Sequence, residues 1–450
     1  MSEPANNGQN VLANDFNAKQ LLAFALPTML MMVFLGLYTI TDTIFVAHFV
    51  NTDALAAINI VTPLISLVVG LGTMLAAGGN AIISRQLGAG QPQQARQSFS
   101  LIILIGALFS LLLALFGSLF LNQLLQLLGA SAGLKPYAQT YLRILLLFFP
   151  AYMLQTIFAN LFVTAGHPVL GSLLAVGSGI LNIVLDYIFI AKMQLGIAGA
   201  AWGTGCGYLL PTLVGLIFFS LRRRETLRFC RSPWRPAIIS ESCLNGSSEM
   251  LSQLATALSV LLFNLTMQQL AGDDGVAAIT IMNYAQFLFN TLYIGFSMGV
   301  APIIGYNHGS RNQARQRRIL GYCLRFICAA SIGLFVLSLF GSRLLIQVFA
   351  GSQGPVYDLA AAGFKLFASS FLFSGLNIFC SAMFTALSNG RTSALLSGLR
   401  TLVFLAPAII ILPRLWGLPG VWLAIPSAEL LALAFSLFFL RRQYQQLKTH

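Results

Sequence analysis

The sequence predicts an all-α integral membrane protein with twelve transmembrane helices in two pseudo-symmetric six-helix lobes. Three observations predict this fold class: the composition, the length of the apolar runs and an internal repeat. Of the 450 residues, 57% are hydrophobic and 8% are charged, whereas a water-soluble domain usually carries about a quarter charged residues. Apolar runs such as 101–121 and 142–162 can each cross a hydrocarbon layer about 30 Å thick. A soluble enzyme is therefore excluded, and so is an outer-membrane barrel, whose strands would be short and alternating.

The breaks between apolar runs divide the chain into twelve predicted spans. The first six centre on residues 21–46, 55–79, 99–121, 139–163, 169–191 and 196–220, and the second six on 247–270, 276–302, 320–342, 360–386, 393–412 and 418–440. The polar first 20 residues lack the features of a secretory signal, so the first span is expected to be retained. The predicted organisation is a tail, an N-lobe, an Arg-rich linker, a C-lobe and a second tail, at residues 1–20, 21–221, 222–240, 241–440 and 441–450.

The Lys and Arg residues predict how the chain is oriented. Nineteen of the 25 fall in segments on the same side as the N-terminus, and such an excess is typical of the cytoplasmic side. We therefore expect both termini in the cytoplasm and the protein in the inner cell membrane. The net charge of +13 then reflects this orientation and favours contact with anionic lipids, and no nucleic-acid partner is expected.

An internal repeat relates the two halves of the chain. At a constant offset of 221 residues, 56–58 (Ala-Ala-Ile) matches 277–279, and 164–165 (Thr-Ala) matches 385–386. Each copy has an even number of spans, so both insert the same way up, related by an axis along the membrane normal. Two facing lobes of this kind create a central cleft, which is the architecture expected of an alternating-access transporter.

Four acidic residues lie within or at the edge of spans, where a carboxylate is costly and therefore a candidate for function. They are Asp42, Asp186, Glu249 and Glu429. Counting at about 1.5 Å per residue from the nearest loops puts Asp42, Asp186 and Thr204 at one depth, roughly 9–14 Å below the outer surface. Asn182 lies one turn beneath Asp186 on the same helix face.

This set of oxygen ligands suits Na⁺. It suits protons equally well, because protonation relieves the cost of two carboxylates in a desolvated site. An interhelical hydrogen-bond network without any ion remains the alternative on residue types alone. The six cysteines and four histidines are scattered and suggest no metal site beyond the possible Na⁺.

Several motifs, in this order and duplicated, make the chain similar to a known family. They are Pro27 followed by Asp42 in the segment 38–45, 88–90 (Gly-Ala-Gly), 182–186 (Asn-Ile-Val-Leu-Asp), 199–204 (Gly-Ala-Ala-Trp-Gly-Thr), 307–309 (Asn-His-Gly) and 417–422 (Gly-Leu-Pro-Gly-Val-Trp). From about residue 20 to 440 the chain resembles the MATE (multidrug and toxic compound extrusion) family. The match is closest to bacterial members with a cation site in the N-lobe.

The resemblance implies a V-shaped multidrug efflux antiporter. Such a protein exports amphipathic organic cations in exchange for Na⁺ or H⁺ and contributes to antibiotic resistance. It is not an enzyme, has no cofactor besides the coupling ion and is expected to work as a monomer. Carried over by position, the resemblance assigns four side-chain ligands of the ion, which are Asp42, Asn182, Asp186 and Thr204. It assigns the Ala200 carbonyl as a backbone ligand and Pro27 as a bend in the first helix. It places Tyr38 and Asn160 at the substrate cavity.

Members whose cation site is in the C-lobe place a Glu deep in the seventh helix and an Asp in the tenth. Glu249 and Asp358 do not lie at those depths, so no C-lobe site is expected. Glu249 sits near the cytoplasmic start of the seventh span, where a linker arginine or the interface is its expected partner. Glu429 lies mid-membrane in the twelfth span and is expected to pair with Arg400, as an inter-helix brace or a second proton site. The alternative function is a flippase or exporter of a specific metabolite or lipid-linked cargo on a related fold.

Overall fold

The computed structural model describes most of the chain. It covers residues 11–50, 52–131, 133–222, 225–350 and 353–447, without the side chains of 39–49, 52, 53, 55, 56 and 348–350. Asp42 therefore has a described backbone, whereas its side chain lies outside the described residues. Arg223, Arg224 and Lys448, which were counted for orientation, also lie outside them.

The described helices provide the twelve predicted spans. Ten helices are long and apolar enough to cross a membrane, and a pair bent by 56°, Pro355–Ala368 and Phe371–Ala386, forms one more span. The helix Pro236–Gly309 is 74 residues long and breaks at Gly272, where φ is 59° and ψ is −149°. A helix of that length is far longer than a bilayer needs, so its two arms are the seventh and eighth spans. The predicted all-α class and its two-lobe arrangement are confirmed.

The bounds of the spans follow the apolar runs closely. The first to sixth spans are Ala18–Phe49, Thr52–Gly88, Pro92–Leu119, Lys135–Thr164, Pro168–Lys192 and Ile197–Leu221. The ninth to twelfth are Gln313–Ala350, the bent pair, Gly390–Trp416 and Leu418–Gln446. Short helices at Val11–Ala13 and Leu121–Leu127 lie outside the spans.

We use "tail side" for the side of the molecule that carries residues 11–17, the linker and the C-terminal residues, and "far side" for the opposite one. The N-lobe packs around one aromatic core that includes Phe99, Phe158 and Phe219. The C-lobe has two cores, one on the tail side around Phe296 and Phe379 and one on the far side. The tail-side core of the C-lobe also buries Leu21, Ala25 and Met29 of the first span, so the two lobes share packing on that side.

The two lobes approach most closely through glycines in their tail-side halves. Gly78 of the second span lies against the Ser242 carbonyl of the seventh, and Gly246 lies against the Met74 carbonyl. A methyl group at either glycine would overlap the facing backbone, which shows how small residues let membrane helices meet. On the same side Arg85 and Glu241 form an ion pair at 2.8 Å between the second and seventh spans. The cleft is therefore closed on the tail side.

The linker rests on the N-lobe before it crosses to the C-lobe. Leu227 is fully buried in the N-lobe core, and the backbone amide of Cys230 donates to Ser100 Oγ at 3.0 Å. The next helix begins at Pro236, inside the predicted linker range 222–240. The connection that is free of both lobes is consequently short.

Candidate cation site

A ladder of polar residues lines one face of the fifth span. Ser178, Asn182 and Asp186 follow one another at intervals of four residues, so they stack on the same side of the helix. All three are buried, with Asn182 and Asp186 each 2% exposed. Directly after Asp186 the helix widens into a π-helical segment, Tyr187–Lys192, a feature often found at functional sites. The ladder thus ends in a buried carboxylate at an irregular turn.

The sixth span leaves room for this ladder because it presents glycines to it. Gly203 and Gly207 are one turn apart, and a Cβ on Gly203 would overlap Asp186 Oδ1. A Cβ on Gly207 would lie 3.3 Å from the Asn182 Cβ. Ser178 Oγ donates to the Gly207 carbonyl at 2.7 Å, which fixes the register of the two helices. The pattern of small residues in this span therefore shapes the site.

The Asn182 amide joins three spans. Oriented to satisfy its neighbours, its Nδ2 donates to Tyr38 Oη at 2.7 Å and to Asp186 Oδ2 at 3.2 Å. Its Oδ1 then accepts from the Thr204 amide at 2.9 Å and from Thr204 Oγ1 at 3.3 Å. The structure thus brings Tyr38 of the first span and Thr204 of the sixth to the polar ladder of the fifth.

The remaining residues named for the ligand set lie beside this network. Ala200 is buried one turn before Thr204, so its carbonyl points along the same helix toward that residue. The backbone of Asp42 lies one turn after Tyr38 in the continuous first span, although its side chain is outside the described residues. Pro27 lies inside the same helix, next to Thr28, whose Oγ1 donates to the Gly295 carbonyl of the C-lobe at 2.9 Å.

Asn160 stands apart from the Asn182 network. Its Nδ2 donates to the Thr156 carbonyl of its own helix at 3.2 Å. One turn further on, Thr164 Oγ1 donates to Asn80 Oδ1 of the second span. Asn160 is half-buried, as a position beside the cleft would be. Tyr38, which is expected to line the same cavity, also contacts Asn182 of the predicted ligand set.

The C-lobe contains an ion pair between its helices, in contrast to the polar ladder of the N-lobe. Arg400 donates from Nε and Nη2 to Glu429 Oε1, each at 2.8 Å. Asn377 Nδ2 donates to Glu429 Oε2 at 2.7 Å, and Ser436 Oγ donates to Asn377 Oδ1 at 2.7 Å. Glu429 is 3% exposed. These contacts join the tenth, eleventh and twelfth spans, so the structure favours the inter-helix brace over the second proton site.

Glu249 is half-buried on the seventh span. Its helix begins thirteen residues earlier, at Pro236, so Glu249 lies deeper than the sequence suggested. Arg400 of the eleventh span acts on Glu249 electrostatically, and the partner expected from the sequence, a linker arginine or the interface, stays a prediction.

Sequence reasoning missed a chain of buried hydroxyl groups in the C-lobe. Ser381 Oγ contacts Ser393 Oγ at 2.9 Å and Ser397 Oγ at 2.8 Å, and Thr385 Oγ1 contacts Ser393 Oγ at 2.8 Å. Ser248 continues the chain to the seventh span at 3.2 Å from Thr385. The signal was present as Ser and Thr residues four apart within apolar spans. These hydroxyls stabilise helix contacts inside the lobe.

Comparisons with known proteins agree with this geometry. The MatE family model matches residues 27–188 and 250–410. The chain is 26% identical over 419 residues to the multidrug export protein MepA of Staphylococcus saprophyticus subsp. saprophyticus, covering 92% of both chains. It is 26% identical over 422 residues to the multidrug export protein MepA of Staphylococcus haemolyticus, covering 93% of this chain and 92% of that protein.

Solved structures show the same fold. A multidrug resistance MATE family transporter of the MOP superfamily, in an outward-facing conformation, superposes with a TM-score of 0.92 at 21% identity and full coverage of both chains. A MOP superfamily transporter from Pyrococcus furiosus superposes with a TM-score of 0.91 at 21% identity, also over both full chains. With matched segments in both lobes and this two-lobed, V-shaped architecture, the chain is a multi-pass membrane protein that belongs to the MatE family of MATE transporters.

Proposed function

We propose that this protein is a multidrug efflux antiporter that exports amphipathic organic cations in exchange for Na⁺ or H⁺ by alternating access. The observation that carries the proposal is the Asn182 network, which links a buried carboxylate of the fifth span to the first and sixth spans through hydrogen bonds of 2.7–3.3 Å. Family membership and relatives named as multidrug export proteins support the transport of drugs.

In this proposal the coupling ion binds in the N-lobe. Asp42, Asn182, Asp186 and Thr204 provide side-chain oxygens, and Ala200 provides its carbonyl. Asp186 is buried, so its charge favours a compensating cation or proton. Carboxylate, amide, hydroxyl and carbonyl oxygens are the ligands that hard cations prefer.

Ion binding can move the first span because Tyr38 bonds directly to the ion-site amide. A cation or proton at Asp186 competes with the Asn182 Nδ2 hydrogen bond and thereby alters the network through which Asn182 contacts Tyr38. Pro27 interrupts the backbone hydrogen bonds of the same helix and provides a bend at which the helix can respond. Ion and drug drive exchange only if each binds the two states of the cleft differently.

The remaining assignments follow from this transport cycle. The N-lobe at 21–221 and the C-lobe at 241–440 move about the linker 222–240, with tails at 1–20 and 441–450. Tyr38 and Asn160 face the substrate during the cycle. The protein works as a monomer surrounded by lipids of the inner cell membrane, without an enzymatic activity. Both termini lie in the cytoplasm, because Lys and Arg are concentrated on the tail side.

Reconstitution in liposomes tests the proposal. Efflux of ethidium is followed by fluorescence after a Na⁺ gradient or a pH gradient is imposed separately, for the parent protein and for Asp42→Asn. The expected result is efflux under one gradient, which identifies the coupling ion, and its loss in Asp42→Asn. Full efflux by Asp42→Asn would contradict the N-lobe coupling site. A correctly inserted parent protein that exports no ethidium under either gradient would instead favour a specific metabolite or lipid-linked cargo.

A further inference from the structure

The segment before the first span is fastened to the C-lobe, although the first span belongs to the N-lobe by sequence order. Leu12 is fully buried and Phe16 is 6% exposed, both in the tail-side core that the C-lobe forms. Phe16 also packs edge-on against Phe24, with ring centroids 5.7 Å apart. Two large apolar side chains therefore anchor residues 11–17, which we name the latch.

Polar contacts fasten the latch to the turn between the eighth and ninth spans. Arg315 Nη2 donates to the Ala13 carbonyl at 2.6 Å. Arg318 Nη1 forms an ion pair with Asp15 Oδ2 at 3.0 Å, and Arg315 Nε lies 3.5 Å from Asp15 Oδ1. Because charge-assisted bonds are directional, these contacts fix where the latch sits on the C-lobe.

The latch also touches the N-lobe. Gly166, with φ +87°, forms the turn between the fourth and fifth spans, and a Cβ placed there would lie 3.2 Å from Val11 Cβ and Cγ2. Val11 therefore packs against the tail-side end of the N-lobe as well as against the C-lobe core in which Leu12 is buried. One short segment thus contacts both sides of the cleft where the cleft is closed.

The latch is connected stiffly to the first span. Asn17 Oδ1 accepts from the Gln20 amide at 2.9 Å, and Gln20 Oε1 accepts from the Asn17 amide at 3.0 Å. This reciprocal pair is a capping box, which sets the direction of the chain into the helix. Further along, Gly299 allows Ala25 to pack closely against the eighth span. The latch and the tail-side part of the first span are consequently held to the C-lobe, from residue 12 to residue 28.

We infer that the latch holds the cleft closed on the tail side, and that either the Val11 contact with Gly166 or the contacts of the latch with the C-lobe have to break before the cleft can open there. Rigid-body separation of the lobes on this side cannot keep both Val11 at Gly166 and Leu12 in the C-lobe core. These contacts are therefore specific to the closed state, and weakening them shifts the population toward the open one. The need for opening rests on the proposed transport cycle, whereas the closed-state contacts stand on the structure.

Distance measurements between the lobes test the latch without requiring transport. Nitroxide labels are placed at Gln93 of the N-lobe and Arg391 of the C-lobe, both exposed on the tail side, in the full chain with its six cysteines replaced. Leu12→Ala is expected to raise the fraction of molecules with long tail-side distances about tenfold, because it removes a fully buried anchor. Asp15→Asn is expected to raise it about two- to threefold, because its ion pairs are exposed to solvent.

Lys19→Gln is the matched control, since Lys19 is an exposed residue two positions beyond the latch, and it is expected to leave the distances unchanged. The inference about the latch would be overturned if Leu12→Ala and Asp15→Asn both gave the distance distribution of the parent protein, or if Lys19→Gln shifted that distribution equally. Asp15→Asn removes no buried contact, so a shift in that variant cannot come from misfolding. Loss of ethidium efflux with unchanged distances would count against the proposed transport function only.

Discussion

The two lobes share an arrangement of helices, but their buried carboxylates, Asp186 and Glu429, bind different kinds of donor group. In the N-lobe, the described hydrogen bond to Asp186 comes from the neutral amide of Asn182. In the C-lobe, Glu429 receives two bonds from the charged guanidinium of Arg400 and one from Asn377. The Glu429 carboxylate is thus compensated by an arginine, whereas the proposed ion site around Asp186 includes the amide of Asn182 and the hydroxyl of Thr204. This difference accords with our proposal that ions exchange in the N-lobe, while the C-lobe contacts brace its helices.

The internal repeat shows that the two acids are not copies of each other. At the offset of 221 residues, Asp186 corresponds to Pro407, and Glu429 corresponds to Tyr208. By contrast, Thr164 and Thr385 do correspond, and both form hydrogen bonds between spans. The two halves therefore keep matching scaffold contacts while their charged residues occupy different spans.

Removing the Glu429 charge should have the largest effect, and it should be on stability. Glu429→Gln removes the carboxylate that is hydrogen-bonded to Arg400, whose side chain is 19% exposed. Breaking this pair should cost about 3 kcal/mol, the lower end of the range for buried pairs. The melting temperature of the purified protein should fall strongly, whereas Arg400→Met combined with Glu429→Met should recover most of the loss. A single variant that melts like the parent protein would show that this pair is not a brace.

Asp186→Asn should have the next largest effect, and it should be on transport. The amide keeps the size of the side chain and removes the charge that the coupling ion compensates, so we expect coupled efflux to fall about 100-fold. The melting temperature should stay near that of the parent, in contrast to Glu429→Gln. Glu225→Gln, which alters a linker carboxylate, serves as the control, and unchanged efflux in Asp186→Asn would remove the distinction between the lobes.

Gly203→Ala sharpens the comparison by crowding Asp186 without changing any charge. The added methyl group overlaps Asp186 Oδ1, so the carboxylate has to turn away or the fifth and sixth spans have to separate. We expect the apparent affinity for the coupling ion, read from efflux at a series of ion concentrations, to fall about tenfold. This corresponds to a loss of about 1.4 kcal/mol of binding free energy. Gly333→Ala is the matched control because the space around Gly333 is open. Equal behaviour of the two variants would argue against a constrained site.

Tyr38→Phe should have the smallest effect of the four. It keeps the ring and removes the hydroxyl that contacts Asn182 at 2.7 Å, and one such hydrogen bond contributes about 1 kcal/mol. The apparent affinity for the coupling ion, read from efflux at a series of ion concentrations, should change about three- to tenfold. If efflux instead fell as far as in Asp186→Asn, Tyr38 would be an ion ligand in its own right and would not act only through its hydrogen bond to Asn182.

The sequence was most informative about residues whose role depends on position along one helix. Asn182 and Asp186 were predicted to share a face because they are four residues apart, and the structure places both on one buried ladder, which Ser178 extends by a further turn. The pairing of Arg400 with Glu429 was also predicted, since both lie at membrane depth and have opposite charge. The electrostatic effect of Arg400 on Glu249 was not predicted, because it depends on how the seventh and eleventh spans are tilted and rotated.

The sequence by itself determined that this chain is a twelve-span, internally repeated membrane protein with polar residues at shared depths. Apolar run length and four-residue spacing are local properties, so the order of residues is enough to give them. Only the tertiary structure decided that Asn182 joins Tyr38 to Thr204, that Asn377 and Ser436 complete the brace, and that the latch crosses the closed side. Each of these contacts joins helices far apart in the chain, and their rotation and close approach depend on side-chain packing over whole lobes.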